Sequence, residues 1–281
     1  MKVIEKISAM KEISNLWRSR GYKISFVPTM GFLHAAHLAL VKKAKELGDK
    51  TVVSIFVNPL QFGPTEDFKE YPRDLERDLK LLKKEKVDVV FVPTVEEMYP
   101  SDFQTYVEVI KLTQGLCGAY RIGHFKGVTT VVLKLFNIVK PDIAIFGEKD
   151  YQQLQVIKQM VKDLNLDIEI VGYPTVREED GLAMSSRNIY LSKEERKSAL
   201  SLYKALSMAQ KLVKEGTKDS KKLKKEMEGF IHSYPFTKVQ YIEFVDPNTL
   251  EPVEIIDRPV ICALAVYVGK ARLIDNMLIY P

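Results

Sequence analysis

Four short stretches of this 281-residue chain concentrate side chains able to do chemistry. In VPTMGFLHAAH, residues 27–37, His34 and His37 stand three apart behind Gly31. Neutral imidazoles donate one hydrogen bond each, and protonated ones add charge to a phosphate site. The same spacing permits a metal, although no third ligand is adjacent, and it equally suits a helix cap. In FVNPLQFGPTEDFKEYPRD the amides of Asn58 and Gln61 suit hydroxyl and carboxylate groups, while Asn-Pro by itself only announces a turn. IFGEKDYQQLQ sets Gly147, Lys149 and Gln153 close together, with Asp150 placed to cap a helix. MSSRN offers two hydroxyls, Ser185 and Ser186, beside Arg187, whose guanidinium can grip phosphate oxygens in pairs.

The elements around these stretches explain why they would meet. Strand-like runs rich in Val, Ile and Phe cover 24–28, 51–57, 88–93, 105–110, 142–146 and 168–171. Helix-like stretches alternate with them at 36–47, 73–86, 126–139 and 151–164, which predicts an α/β fold with a parallel sheet. Three of the four motifs then fall at carboxyl ends of strands, where open parallel sheets hold ligands beside helix N-termini. After about Leu191 the pattern changes. Ser192 and Glu195 form a capping-box signature opening a helix through Glu215. The basic stretch KDSKKLKKEMEGFIH follows, its lysines alternating with apolar residues as on a solvated helix face. Strand-like runs at 238–245, 259–269 and 272–280 complete an α+β pattern, the third able to join either sheet. The expected division is a domain over residues 1–180 and a smaller one over 181–281. Together these features predict a nucleoside triphosphate held in a cleft between two domains.

Composition excludes other classes. Apolar residues make up 46% and charged residues 28%, so a sizeable core is expected rather than disorder. The net charge of +5 is spread along the chain and is too small for a nucleic-acid footprint. No run approaches the ~18 apolar residues of a membrane span, and the N-terminus is too charged for a signal peptide. The two cysteines lie far apart, which favours a reducing, cytoplasmic setting over a disulfide framework. Neither GxxxxGK[ST] nor GxGxxG occurs.

Taken together, PTMGFLHAAH, FVNPLQF, GHFKGVTTVVLKLFNIVKPD, GEKDYQQL and MSSRN resemble the pantoate–β-alanine ligase family, in order and from about residue 3 to residue 280. PTMGFLHAAH looks like its HxGH-type nucleotide motif, with Ala36 where glycine is commoner, and MSSRN looks like its counterpart of the KMSKS loop. The resemblance implies a Rossmann-like nucleotidyltransferase domain, a smaller α+β C-terminal domain acting as a lid, and a homodimer. It implies condensation of (R)-pantoate with β-alanine, driven by ATP with magnesium, through a pantoyl adenylate with release of AMP and pyrophosphate. Carried over by motif, Met30, Gly31, Phe32, Leu33, His34, Ala35, Ala36 and His37 would border ATP, with His37 as proton donor. Gly147, Glu148, Lys149, Asp150, Val176, Met184, Ser185, Ser186 and Arg187 would complete the ATP site. Asn58, Gln61 and Gln153 would bind pantoate, with Gln61 also near β-alanine, and Asp78 is the candidate metal ligand. A nucleotidylyltransferase acting on a phosphate acceptor would share the histidine motif, but gives no reason for FVNPLQF.

Overall fold

The computed structural model describes residues 1–64 and 66–281. In chain order its strands and helices are β1 (Lys2–Ile4), α1 (Ile7–Ser19), β2 (Ile24–Thr29), α2 (Ala35–Leu47), β3 (Lys50–Ile55), α3 (Leu75–Lys84), β4 (Val89–Phe91), α4 (Val95–Met98), α5 (Leu116–Tyr120), α6 (His124–Val139), β5 (Ile143–Gly147), α7 (Tyr151–Asp163), β6 (Glu169–Tyr173), α8 (Lys193–Lys214), α9 (Ser220–His232), β7 (Thr237–Val245), β8 (Val260–Val268) and β9 (Ala271–Ile279). They fall into two compact units. The first comprises Met1–Lys111, Arg121–Glu148 and Gln153–Pro174; the second comprises Leu112–Tyr120, Lys149–Gln152 and Thr175–Pro281.

In the first unit, six parallel strands run in the order β1-β4-β3-β2-β5-β6. Consecutive residues of a strand point to opposite faces, and here both faces are covered. Phe26, Val52, Phe91, Ala144 and Phe146 enter one core with Met10 of α1, Val128 to Val139 of α6 and Leu154 and Ile157 of α7. Their neighbours Val27, Val53, Val90, Ile143 and Ile145 enter a second core with Leu33, with Val41 and Ala44 of α2 and with Leu82 of α3. The strand order reverses between β2 and β5. That reversal is the topological switch point at which open α/β sheets bind their ligands.

One expectation from the sequence is corrected. Residues 105–110 lie extended but join no ladder. Thr130 Oγ1 accepts the Val107 N–H at 3.0 Å, and Thr129 Oγ1 donates to the Val107 carbonyl at 2.6 Å, so α6 side chains replace a strand partner. β1 and α1 occupy the charged N-terminal stretch. β1 is a three-residue edge strand, and α1 buries Met10 and packs Ile7, Ala9, Ile13 and Trp17 against the first core.

The second unit has its own core. β7, β8 and β9 form an antiparallel sheet in that order, which places the third strand-like run beside the second. The inward row of β8, Val260, Cys262, Leu264, Val266 and Val268, packs on Leu202, Leu206 and Val213 of α8 and on Leu223, Met227 and Ile231 of α9. The capping box forms: the Glu195 N–H donates to Ser192 Oγ at 3.2 Å, and the Ser192 N–H donates to Glu195 Oε2 at 2.8 Å. α8 therefore begins at residue 193, and it ends at Lys214. Segment 112–120 joins this unit through Cys117, whose Sγ lies 3.3 Å from the Tyr241 hydroxyl, and through Tyr120, stacked on the Tyr241 ring.

Candidate active site

In the first unit the turn after β2 is built by backbone geometry that few residues tolerate. Gly31 has φ +80°, and a Cβ there would meet Ile55 Cγ2 at 3.0 Å and Asp78 Oδ2 at 3.1 Å. Phe32 follows with φ +50°, a left-handed conformation that a bulky residue holds only when its surroundings impose it. Asp78 is what imposes it. Its carboxylate, 1% exposed, accepts the N–H groups of Phe32 at 2.7 Å and Leu33 at 2.8 Å, and Leu33 seals the turn with a fully buried side chain. Burial pushes the Asp78 carboxyl up from the ordinary carboxylate range, opposed by those two N–H bonds and by Arg77.

Both Asp78 oxygens face backbone donors, so the residue clamps the turn. Among the described residues no group of three or more His, Cys, Asp or Glu converges as a metal site. Magnesium commonly keeps water and substrate phosphates as most of its ligands, and a dedicated protein cage is not required.

The turn delivers His34 to the N-cap of α2. The His34 N–H donates to His37 Nδ1 at 3.2 Å, and the two rings lie 4.1 Å apart. A ring nitrogen that accepts carries no proton, so neutral His37 holds its hydrogen on Nε2. The backbone thereby fixes His37 as an Nε2–H donor at a helix N-terminus, where the peptide dipoles favour an anion. Ala35 and Ala36 occupy the first turn of α2 between the two histidines.

After β3, Asn58 and Gln61 form one hydrogen-bonded unit. Asn58 is 1% exposed, and its Nδ2 donates to the Gly127 carbonyl and to Gln61 Oε1, both at 3.0 Å. Its Oδ1 accepts the Leu60 N–H at 3.3 Å and the Tyr99 hydroxyl at 2.8 Å. All four hydrogen-bonding positions of that amide are thus engaged within the protein. Through its bond to Oε1, Asn58 orients the Gln61 amide. Because Gln61 Oε1 is the acceptor for Asn58, the Gln61 amide turns its NH2 the other way, where Nε2 donates to Met30 Sδ at 3.1 Å. Gln61 and Met30 are therefore brought together. Gly147 closes β5 next to β2, and Gln153 follows half-buried in the first turn of α7.

In the second unit Lys149 and Asp150 lie in the short 3-10 turn Glu148–Asp150 that leads into α7, with Asp150 exposed. Asn276 Nδ2 donates to the Lys149 carbonyl at 2.9 Å. Val176 and Met184 are paired directly, since the Met184 N–H donates to the Val176 carbonyl at 3.0 Å. Between them Arg177 makes a two-pronged ion pair with Asp275 at 2.6 and 2.9 Å and lies over the Tyr203 ring. Ser185 Oγ accepts the Arg187 N–H at 3.2 Å and so caps the turn Ser186–Tyr190, in which Ser186 is buried and Arg187 half-buried. Glu178 receives Asn188 Nδ2 at 3.2 Å and Arg196 Nη2 at 2.8 Å, anchoring the far side of that loop.

Several residues in these constellations were given no role from the sequence. Tyr99, Arg121, Asn276 and the clamping role of Asp78 come from segments outside the motifs, whereas Glu66 and His124 lie inside FVNPLQFGPTEDFKEYPRD and GHFKGVTTVVLKLFNIVKPD. Glu66 is strongly perturbed. Burial raises its carboxyl, but the Arg121 guanidinium at 2.6 Å outweighs that and holds it down at about 2.

Comparison with known proteins agrees with the geometry. The sequence model of the family pantoate-beta-alanine ligase matches residues 2–278. The chain is 62% identical to the pantothenate synthetase of Thermosipho africanus over 279 residues, covering 99% of this chain and 100% of that one. It is 59% identical to that of Caldicellulosiruptor bescii, with 99% of each covered. The structure superposes on the pantothenate synthetase of Thermus thermophilus with a TM-score of 0.94 at 46% identity, each chain covered completely. The Francisella tularensis pantoate-beta-alanine ligase, complexed with beta-gamma ATP and β-alanine, gives 0.84 at 38% identity, covering 99% of this chain and 97% of its own. The fold, the histidine turn and the paired amides thus sit in a chain that belongs to the pantoate–β-alanine ligase family.

Proposed function

We propose that the protein joins (R)-pantoate to β-alanine in two steps, with ATP as co-substrate and pantoyl adenylate as the bound intermediate. The single observation that carries the mechanism is the tautomer of His37, whose Nδ1 accepts the His34 N–H so that its hydrogen sits on Nε2, at the start of α2. The Francisella tularensis relative, complexed with beta-gamma ATP and β-alanine, supports the choice of substrates.

In the first step a pantoate carboxylate oxygen attacks the α-phosphorus of ATP. The bond to the bridging α–β oxygen breaks, and pyrophosphate departs. Negative charge grows on the phosphoryl oxygens, and such transfers need fixed donors more than a covalent nucleophile. By the family resemblance, His34, His37, Lys149, Ser185, Ser186 and Arg187 are the donors assigned to that charge. The Gln61 amide, turned NH2 outward by Asn58, donates to pantoate, with Gln153 as its second amide. In the second step the β-alanine amine attacks the acyl carbon, the acyl–oxygen bond to AMP breaks, and the amine proton is lost. A water-excluding environment preserves the mixed anhydride until that attack. Magnesium would arrive on the triphosphate, and a homodimer is the assembly the resemblance implies; equilibrium sedimentation at twice the chain mass is the expected result.

Product analysis tests the route. Incubation with both acids and magnesium ATP should yield AMP, pyrophosphate and amide in equal amounts. ADP and inorganic phosphate as the products would overturn the adenylate and point to an acyl phosphate.

A further inference from the structure

Gln61 is held from a second direction, through its main chain, by groups to which the sequence assigned no role. The guanidinium of Arg121 grips both oxygens of Glu66, Nε to Oε1 at 2.7 Å and Nη2 to Oε2 at 2.6 Å. Its Nη1 lies 3.0 Å from His124 Nε2. A guanidinium can only donate, so His124 Nε2 is the acceptor and the ring hydrogen sits on Nδ1. That Nδ1 lies 2.8 Å from the Gln61 carbonyl, which can only accept, so the Nδ1–H donates to it. Donor and acceptor roles are consistent along the whole line only when His124 is neutral and Nδ1-protonated. Arg121 Nη2 adds a longer bond to the same carbonyl at 3.4 Å. The groups are shielded from water: His124 is 9% exposed, and the side chains of Arg121 and Glu66 are 13% and 23% exposed.

We propose that Glu66, Arg121 and His124 form a positioning relay that sets the Gln61 backbone, and through it the pantoate-facing amide, with Arg121 selecting the His124 tautomer. Asn58 fixes which way the Gln61 amide points, and the relay fixes where the residue stands. Gly127 shows how tight the seat is, since a Cβ there would lie 2.2 Å from the Leu60 carbonyl oxygen. The relay rests on the assignment of Gln61 to pantoate, so the test separates the two.

The decisive pair is His124→Asn against His124→Gln in the full-length enzyme, read as KM for pantoate and for ATP in pyrophosphate exchange. An asparagine amide nitrogen takes the place of Nδ1 and keeps the bond to the Gln61 carbonyl; the glutamine nitrogen takes the place of Nε2 and does not. His124→Asn should keep the pantoate KM near the wild-type value. His124→Gln should raise it about tenfold, the scale of one lost hydrogen bond to a buried group, with the ATP KM unchanged. Arg121→Lys, which cannot span Glu66 and His124 together, should raise the pantoate KM selectively as well. In a Gln61→Ala background neither His124 change should add anything, because coupled residues fail to be additive. Equal pantoate KM values for the Asn and Gln variants, a parallel rise in both KM values, or full additivity with Gln61→Ala would overturn the relay. Gln61→Ala with an unchanged pantoate KM would instead overturn the assignment of Gln61, and the relay with it.

Discussion

A histidine becomes a directed donor when something else occupies its other nitrogen, and in this protein the occupant is a peptide N–H three residues upstream. Removing that donor should matter in the transition state. His37→Ala should lower the rate of pantoate-dependent pyrophosphate exchange by at least ~10²-fold, the usual scale for one transition-state donor; an unchanged rate in a folded variant would contradict its role. Tyr99→Phe removes only a hydroxyl. It should raise the pantoate KM severalfold and cost about 1 kcal/mol of stability in urea unfolding, because Asn58 loses one of its two acceptor bonds. At this scale the sequence offers His34, His37, Gln61 and the Ser185–Arg187 loop as candidates, because they stand in contiguous motifs. It was illegible where a role depends on partners distant in the chain. For Asn58 and Asp78, residue type shows hydrogen-bonding capacity but not the Tyr99, Gly127, Phe32 and Leu33 groups that meet it in the fold.

Helices and strands place those side chains through a few close approaches. Asp78 stands in the first turn of α3 and reaches the β2–α2 turn, tying two elements by its two oxygens. Asp78→Asn can accept on only one of them and should cost about 1–3 kcal/mol, the penalty for a buried donor left unpaired; denaturant titration measures it, and the ATP KM should rise alongside. Gly127→Ala would push α6 and the loop at Leu60 apart, since the added Cβ meets a backbone carbonyl at 2.2 Å and not a flexible side chain. The expected result is a lower melting temperature together with a weaker grip on pantoate; a variant of wild-type stability would show that the loop yields freely. Element types were readable from periodicity over β2, β3, β5, α2, α3, α6 and α7. Residues 105–110 misled because β-branched alternation records a half-buried extended chain whether its backbone is met by a strand or, as here, by Thr129 and Thr130.

Across the molecule, two separate cores support two units, and the second recruits segments 112–120 and 149–152 from the middle of the chain. No composition shift marks such excursions, which is why a boundary read along the sequence describes only part of the partition. The stability of the whole also has a pH signature. The Glu66 carboxyl, held at about 2 in the fold against 4.5 as its ordinary value, contributes fully above 4.5 and progressively less as pH falls toward 2. Urea midpoints of the wild type and Glu66→Gln should therefore converge over that acidic window and stay apart, without further change, from pH 5 to 8. A gap between the two that widens with acid would contradict the ion pair's contribution.

Pyrophosphate exchange addresses the central claim most directly. With labelled pyrophosphate, magnesium ATP and the purified protein, and with β-alanine left out, label should enter ATP only when pantoate is added, because the adenylate forms reversibly without the amine. Folded protein that binds ATP yet exchanges no label with pantoate present would contradict adenylation as the first step.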